Sequence, residues 1–195
     1  MGYNGYMRDW SKRVKCPKAN EINTGLSSSS ASFMVEKFGM PRAQLTADCA
    51  PVTSPSLKKL LVKKKIPQIG TVTGLKPAIE SLERIMAKVK ANDANHPGLF
   101  QQIGTAGMLC CRRIRRKPSQ PIVNKPSNHS FGAAIDITIN GKLDAVGDGM
   151  VQEGLLALYP YFREEGWYWG AEFSGPHEDA MHFEMAKETI LRLFP

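Results

Sequence analysis

Residues 127–136 read SNHSFGAAID, and residues 178–185 read EDAMHFEM. The first stretch sets His129 seven positions before Asp136, with a glycine and alanines between them. An imidazole and a carboxylate brought to one point supply two ligands of a catalytic zinc site, which takes three protein ligands and leaves one position open. The third ligand would come from His96, His177 or His182. His96 and His177 stand beside prolines and read equally well as surface residues. His182 lies in a short alternating run, so His182 and Glu184 share one face while Met181 and Phe183 take the other. Asp179 precedes His182 by three positions, where a carboxylate could take a proton from water and return it to a leaving amine. An ordinary loop running into a strand would show the same His–Asp spacing. Glu178 and Glu184 read as solvated groups or as hydrogen-bond partners of a ligand.

The elements that must hold these groups are partly visible. In GAAIDITI (132–139), Ile135, Ile137 and Ile139 alternate with Ala134, Asp136 and Thr138, which predicts a strand with Asp136 on the face away from the core. Gly132 lets the chain bend or approach closely before it, and the small residues are expected to leave room for an ion or a substrate backbone. NGK (140–142) signals a hairpin turn. Leu75, Ile79, Leu82, Met86 and Val89 recur at helical spacing and predict a helix over 74–92. Residues 150–166 read as a helix closed by Gly166, and 186–194 as a final helix. The pattern predicts a short helix from Ser54 ended by Pro67, a short strand at 107–114, and a strand or loop at 167–173, where Trp167 and Trp169 suit a core. Helices and strands without a βαβ rhythm indicate an α+β fold. Residues 1–55 read as an irregular N-terminal lead packed on a single domain spanning 56–195.

The net charge of +8 suits an anionic partner (nucleic acid, a membrane surface or a wall polymer), and equally a basic surface with no specific partner. The basic runs at 56–65 and 110–117 lack the interleaved aromatics of single-strand binders, so no nucleic-acid partner is expected. No apolar stretch is long enough to span a membrane, and the N-terminus lacks the apolar core of a signal peptide. Cys16, Cys49, Cys110 and Cys111 form no C-x-x-C pair. A disulfide from Cys49 to one of the vicinal pair is an option, and free buried cysteines are another.

SNHSFGAAID resembles, position by position, the S-x-H-x-x-G-x-A-x-D motif of the zinc D-alanyl-D-alanine carboxypeptidases and L-alanyl-D-glutamate endopeptidases. Ser127, His129, Gly132, Ala134 and Asp136 fill its fixed positions. DAMH is similar to the family's second motif, an acidic residue three before a histidine, in the aspartate form of the phage endolysin branch. CCRRIR (110–115) resembles the strand that brings an arginine to the site, and GWYWG (166–170) the family's Trp/Gly stretch. The resemblance covers about residues 104–186. It implies a small, mostly antiparallel sheet carrying the zinc site and flanked by helices. One Zn2+ would be held by His129, Asp136 and His182, with Asp179 as general base and then general acid. Arg112 would steady the substrate carbonyl and the developing oxyanion, although Arg113 competes for that place. Ser127 and Trp169 would touch substrate. The implied activity is hydrolysis of peptidoglycan stem peptides by a metal-activated water, in a monomer acting at the cell wall or periplasm. Delivery would be by phage lysis or a secretion system, unless the chain is a fragment. A zinc-containing wall-binding module without activity is the alternative.

Overall fold

The apolar stripe over 79–89 forms a helix, whereas Leu75 ends the strand before it, and the buried face of that helix is the floor on which the rest is built. The computed structural model describes residues 8–115, 121 and 123–195. The first seven residues of the lead, Arg116 and Lys117 of the basic run, and residues 118–120 and 122 of the proline-rich loop lie outside it. In chain order the elements are β1 (Arg13–Lys15), α1 (Ala31–Phe38), α2 (Pro55–Leu60), β2 (Leu61–Ile66), β3 (Gly70–Leu75), α3 (Lys76–Ala91), α4 (Leu99–Gln102), β4 (Ile103–Gly107), β5 (Ala134–Ile139), β6 (Met150–Gln152), α5 (Glu153–Glu164), β7 (Trp167–Trp169), β8 (His182–Met185) and α6 (Lys187–Leu193). In α3, Ile79, Leu82, Ile85, Met86 and Val89 are buried, packed on the β2–β3 hairpin and on α5. Pro77 sits in its first turn, where the missing N–H has no helical partner to lose.

The second layer is a four-stranded antiparallel sheet in the order β4-β5-β8-β7. Ile135, Ile137 and Ile139 turn to the core, where Phe183 stacks on Phe162 at 4.0 Å between ring centroids. In the β5–β8 register Asp136 is opposite His182 and Ala134 is opposite Glu184. Mixed helices and small antiparallel sheets make this an α+β fold. The N-terminal residues join the same core through Trp10, Ile22, Met34 and Phe38, and β1 pairs with β6.

Several local readings need correction. Residues 56–65 divide: Ser54 caps α2, but the chain then extends as β2, because Leu61–Ile66 pairs with Gly70–Leu75 along its whole length. Lys63, Lys64 and Lys65 stay exposed on that hairpin. The strand expected at 107–114 ends where it was expected to begin. Gly107 adopts φ +134°, the β4–β5 register shifts there, and only isolated bridges follow, at Cys111 with Ala50 and Arg113 with Pro126. Asn140 and Gly141 do make a left-handed turn, but the returning chain forms one bridge, Ile139 to Lys142, and no strand. The helix read over 150–166 begins with strand β6.

Among the described residues no helix is long and apolar enough to cross a membrane. Cys49 and Cys110 form a disulfide, and Cys16 and Cys111 are free.

Candidate metal centre

His129 belongs to a 3-10 turn, Asn128–Phe131, that Gly132 closes in the left-handed region at φ +66°. A Cβ on Gly132 would come within 2.6 Å of the Gly74 backbone, and the Gly132 carbonyl accepts from Leu75 N–H. The small residues after His129 therefore make room for β3, not for substrate, which corrects the expectation of open space above the strand. Ala134 is fully buried opposite Glu184.

Three side chains meet where β5, β8 and this turn converge. His129 Nε2 lies 3.2 Å from Asp136 Oδ1 and 3.2 Å from His182 Nδ1, and His182 Nδ1 lies 3.1 Å from Asp136 Oδ1. The hydrogen bonds behind them fix which nitrogen carries the proton. His129 Nδ1 is 2.8 Å from the Met108 carbonyl, which only accepts, so Nδ1 is the donor. His182 Nε2 is 3.0 Å from the Glu184 carboxylate and donates to it. With those protons placed, His129 Nε2, His182 Nδ1 and Asp136 Oδ1 turn three acceptors toward each other at close range. Like ends of dipoles in a buried site repel, and a cation between them relieves that repulsion. A proton can fill the role: burial opposes charge on His182, yet Asp136 and Glu184 on either side lift its pKa to about 10. Burial alone would raise the Asp136 carboxyl, but the adjacent His129 and His182 imidazoles override it and hold the group far below the usual range. Among the described residues this trio is the one group of donors close enough to share a metal ion. His96 packs beside Trp10 and Tyr161, and His177 lies at the pocket rim; neither joins the trio.

A pocket of about 730 Å³ opens over the three candidate ligands. Asp179 faces it from the turn before β8, where His182 N–H donates to the Asp179 carbonyl and Asp179 N–H to the Gly170 carbonyl. A Cβ on Gly170 would meet the Asp179 carbonyl at 2.5 Å, so only glycine lets this turn sit so close. The Asp179 Oδ1 is buried with no hydrogen-bond partner among the described residues. Burial raises its pKa, with His182 opposing and the Asp136 charge adding to the rise.

Arg112 and Ser127 line the pocket, whereas Arg113 does not. Arg112 is held by its backbone, through N–H to Ser130 Oγ and through its carbonyl to Ser127 N–H. Burial lowers its pKa, Arg115 lowers it further, and Asp136 and Asp179 oppose the fall. The disulfide ties this segment to the N-terminal loop, and Cys110 N–H donates to the His129 carbonyl. Trp169 has no access to the pocket, which corrects its expected contact with substrate. It is fully buried, stacked between Tyr159 and Phe183, with its indole N–H on the Ala180 carbonyl. Glu178 and Glu184 are buried rather than solvated.

Arg115, Ser28 and Ser29, to which the motifs assign no role, also line the pocket. Asn128 lay unremarked inside the motif itself. Leu143 and Val146 form an exposed apolar rim.

A search of curated proteins found no match for the chain. A family model described as D-alanyl-D-alanine carboxypeptidase matches residues 123–185. That stretch contains both histidine motifs, Asp179 and all three candidate ligands. Over that stretch the chain is similar to the D-alanyl-D-alanine carboxypeptidase family.

Proposed function

We propose that this protein is a zinc peptidase that hydrolyses peptide bonds in peptidoglycan stem peptides. The observation that carries the reading is the convergence of His129 Nε2, His182 Nδ1 and Asp136 Oδ1 as three acceptors, with Asp179 lining the same pocket. Two imidazoles and one carboxylate with a position left free suit zinc better than the all-oxygen cations. Zinc bound there would supply Lewis acidity toward water and toward the scissile carbonyl.

The remaining work falls to side chains. The Asp179 carboxylate accepts the proton of the attacking water and returns it to the leaving amine. Its burial, which strengthens its hold on a proton, suits the second half of that task. Arg112, half-buried and facing Asp136 and Asp179, stabilises the carbonyl oxygen as negative charge develops, in a site where water screens little. Arg113 is not assigned this role because its side chain is outside the pocket. Ser127 orders the backbone under Arg112. The positive surface draws the anionic wall polymer toward the pocket, and action at the cell wall follows.

The test is mass spectrometry of purified peptidoglycan digested with the zinc-loaded protein, with and without a chelator. Chelator-sensitive release of free D-Ala would identify a carboxypeptidase. A cut between L-Ala and D-Glu would identify an endopeptidase. Absence of any released peptide or amino acid would overturn the reading and leave a zinc-containing wall-binding module.

A further inference from the structure

The polar run GLSSSSAS (25–32) has no place in the mechanism above, yet it reaches the metal centre from about 155 residues away in the chain. Ser28 Oγ donates to Glu184 Oε1 at 2.6 Å and Ser29 N–H to the same oxygen at 2.9 Å. Asn128 Nδ2 donates to Glu184 Oε2 at 2.7 Å and to the Ser29 carbonyl at 2.7 Å. His182 Nε2 completes the set on Oε2. Ser29 Oγ on the Met185 carbonyl and Lys187 N–H on the Ser27 carbonyl hold the segment along β8 and its exit.

Each of these bonds has one possible direction. The Ser29 carbonyl only accepts, so the end of Asn128 that faces it is the amide nitrogen, and that nitrogen can only donate to Glu184. The Ser29 N–H can only donate as well. Glu184, 2% exposed, is an ionised carboxylate buried at a cost that several hydrogen bonds must offset. With three donors already imposed on it, it must accept from His182 too. A purely structural site of this shape could be filled by apolar side chains at less cost.

We infer that Ser28, Ser29, Asn128 and Glu184 form a relay of direction-fixed hydrogen bonds that holds His182 in the Nε2–H tautomer, so that Nδ1 presents its lone pair to the metal. Glu184 is a positioning residue, and the Ser27–Ser29 segment is a working part of the metal centre. The relay rests on the zinc reading above. Its consequence is asymmetric ligation: His129 binds through Nε2 and His182 through Nδ1.

The test uses the full chain and zinc alone. Zinc affinity is measured by chelator competition for wild type, Ser28→Ala, Ser28→Thr and Glu184→Gln, with apo-protein melting as a control for folding. Glutamine has one oxygen where the relay needs two, so Glu184→Gln should weaken zinc binding by about 10–100-fold. Ser28→Ala, at the solvent end, should weaken it by less, on the order of fivefold, and Ser28→Thr should restore it because the hydroxyl remains. Long-range 1H–15N spectra of the zinc-loaded wild type should show His182 Nε2 protonated. Protonation at Nδ1 instead, or variants whose affinities match wild type, would overturn the relay. A wild type that takes up no zinc would remove the proposed function itself, so the two failures are distinguishable.

Discussion

Replacing Asp179 with asparagine separates its chemical use from its structural cost. The substitution keeps the shape and removes only the charge and the ability to carry a proton. A positioned general acid–base group contributes about 10²–10⁴ in rate, so kcat should fall by that factor, equivalent to roughly 3–5 kcal/mol of barrier. The effect on stability should run the other way. Asp179 Oδ1 is buried without a partner, and Asp136 and Glu178 add like charge around it. An unsatisfied buried polar group costs about 1–3 kcal/mol, and the neutral amide should recover about 1 kcal/mol of that. For a chain of this size that is a rise of about 2–4 °C in the melting temperature of the metal-free protein. Zinc stoichiometry should stay at one, because His129, Asp136 and His182 are untouched. The assays are release of stem-peptide fragments under single-turnover and steady-state conditions, metal content, and thermal melting. A variant that keeps more than about a tenth of wild-type kcat would refute the role given to Asp179. A lower melting temperature would refute the claim that its carboxylate is held at a cost.

Other expected outcomes follow from the same geometry. Arg112→Ala should lower kcat/KM by about 10²–10³-fold, the usual loss of one oxyanion donor, while Arg113→Ala should stay close to wild type in the same peptide-release assay. Opening the Cys49–Cys110 bridge, which closes a loop 61 residues long, removes up to ~4 kcal/mol by the chain-entropy account. A Cys49→Ser/Cys110→Ser variant should therefore melt well below wild type in denaturant titrations, and lose activity first, because the bridge anchors the segment carrying Arg112. Asp144 has a fully buried side chain, 3.3 Å from Arg13. Burial raises its pKa to about 6, with Arg13 opposing and Glu178 and Asp148 adding to the rise. The folded state therefore holds this proton more tightly than the unfolded state, so the stability it contributes at low pH is lost as pH rises through about 6. Asp144→Asn should escape that loss and exceed wild type by about 1–2 kcal/mol above pH ~7 after allowance for screening, with the gap closing below pH ~4. Equal pH dependence in the two proteins, by denaturant unfolding, would contradict it.

What could be read in advance was whatever a short segment determines on its own. The alternation of Ile135, Asp136 and Ile137 fixes which face the carboxylate takes, and the Asp179–His182 spacing fits one turn leading into a strand. Both motifs were therefore legible, as was α3, whose apolar stripe leaves it one way to pack. The choice between Arg112 and Arg113 was not, because strand alternation does not apply there. Gly107 breaks the β4–β5 ladder, and the following residues bond instead to Thr46, Ala50 and Pro126. Trp169 was misread because an aromatic beside a motif looks the same whether it faces a cleft or a core; the stacking of Tyr159 and Phe183 decides it. Ser28, Ser29 and Asn128 were invisible for another reason. A serine-rich stretch carries no periodic signal, and its partner Glu184 lies on the far side of the chain.

The β5–β8 register is where fold and chemistry become one constraint. Asp136 faces His182 across the ladder, and Ala134 faces Glu184. Side chains alternate with a period of two, so a slip of one residue would place Ile135 or Ile137 opposite His182 and bury Asp136 among the isoleucines. The slip is opposed from both faces. On one, Ile135, Ile137, Ile139 and Phe183 are fully buried and would have to be exposed to water, at about 1.5–3 kcal/mol each. On the other, Glu184 would lose the His182 and serine donors that make its burial tolerable, and Asp136 its place beside the two histidines. The apolar pattern that makes β5 a core strand thus also sets the distance between two of the three candidate metal ligands, and the third, His129, is brought in by the Gly132–Gly74 approach. A packed sheet and the His/Asp/His cluster thus depend on the same residues.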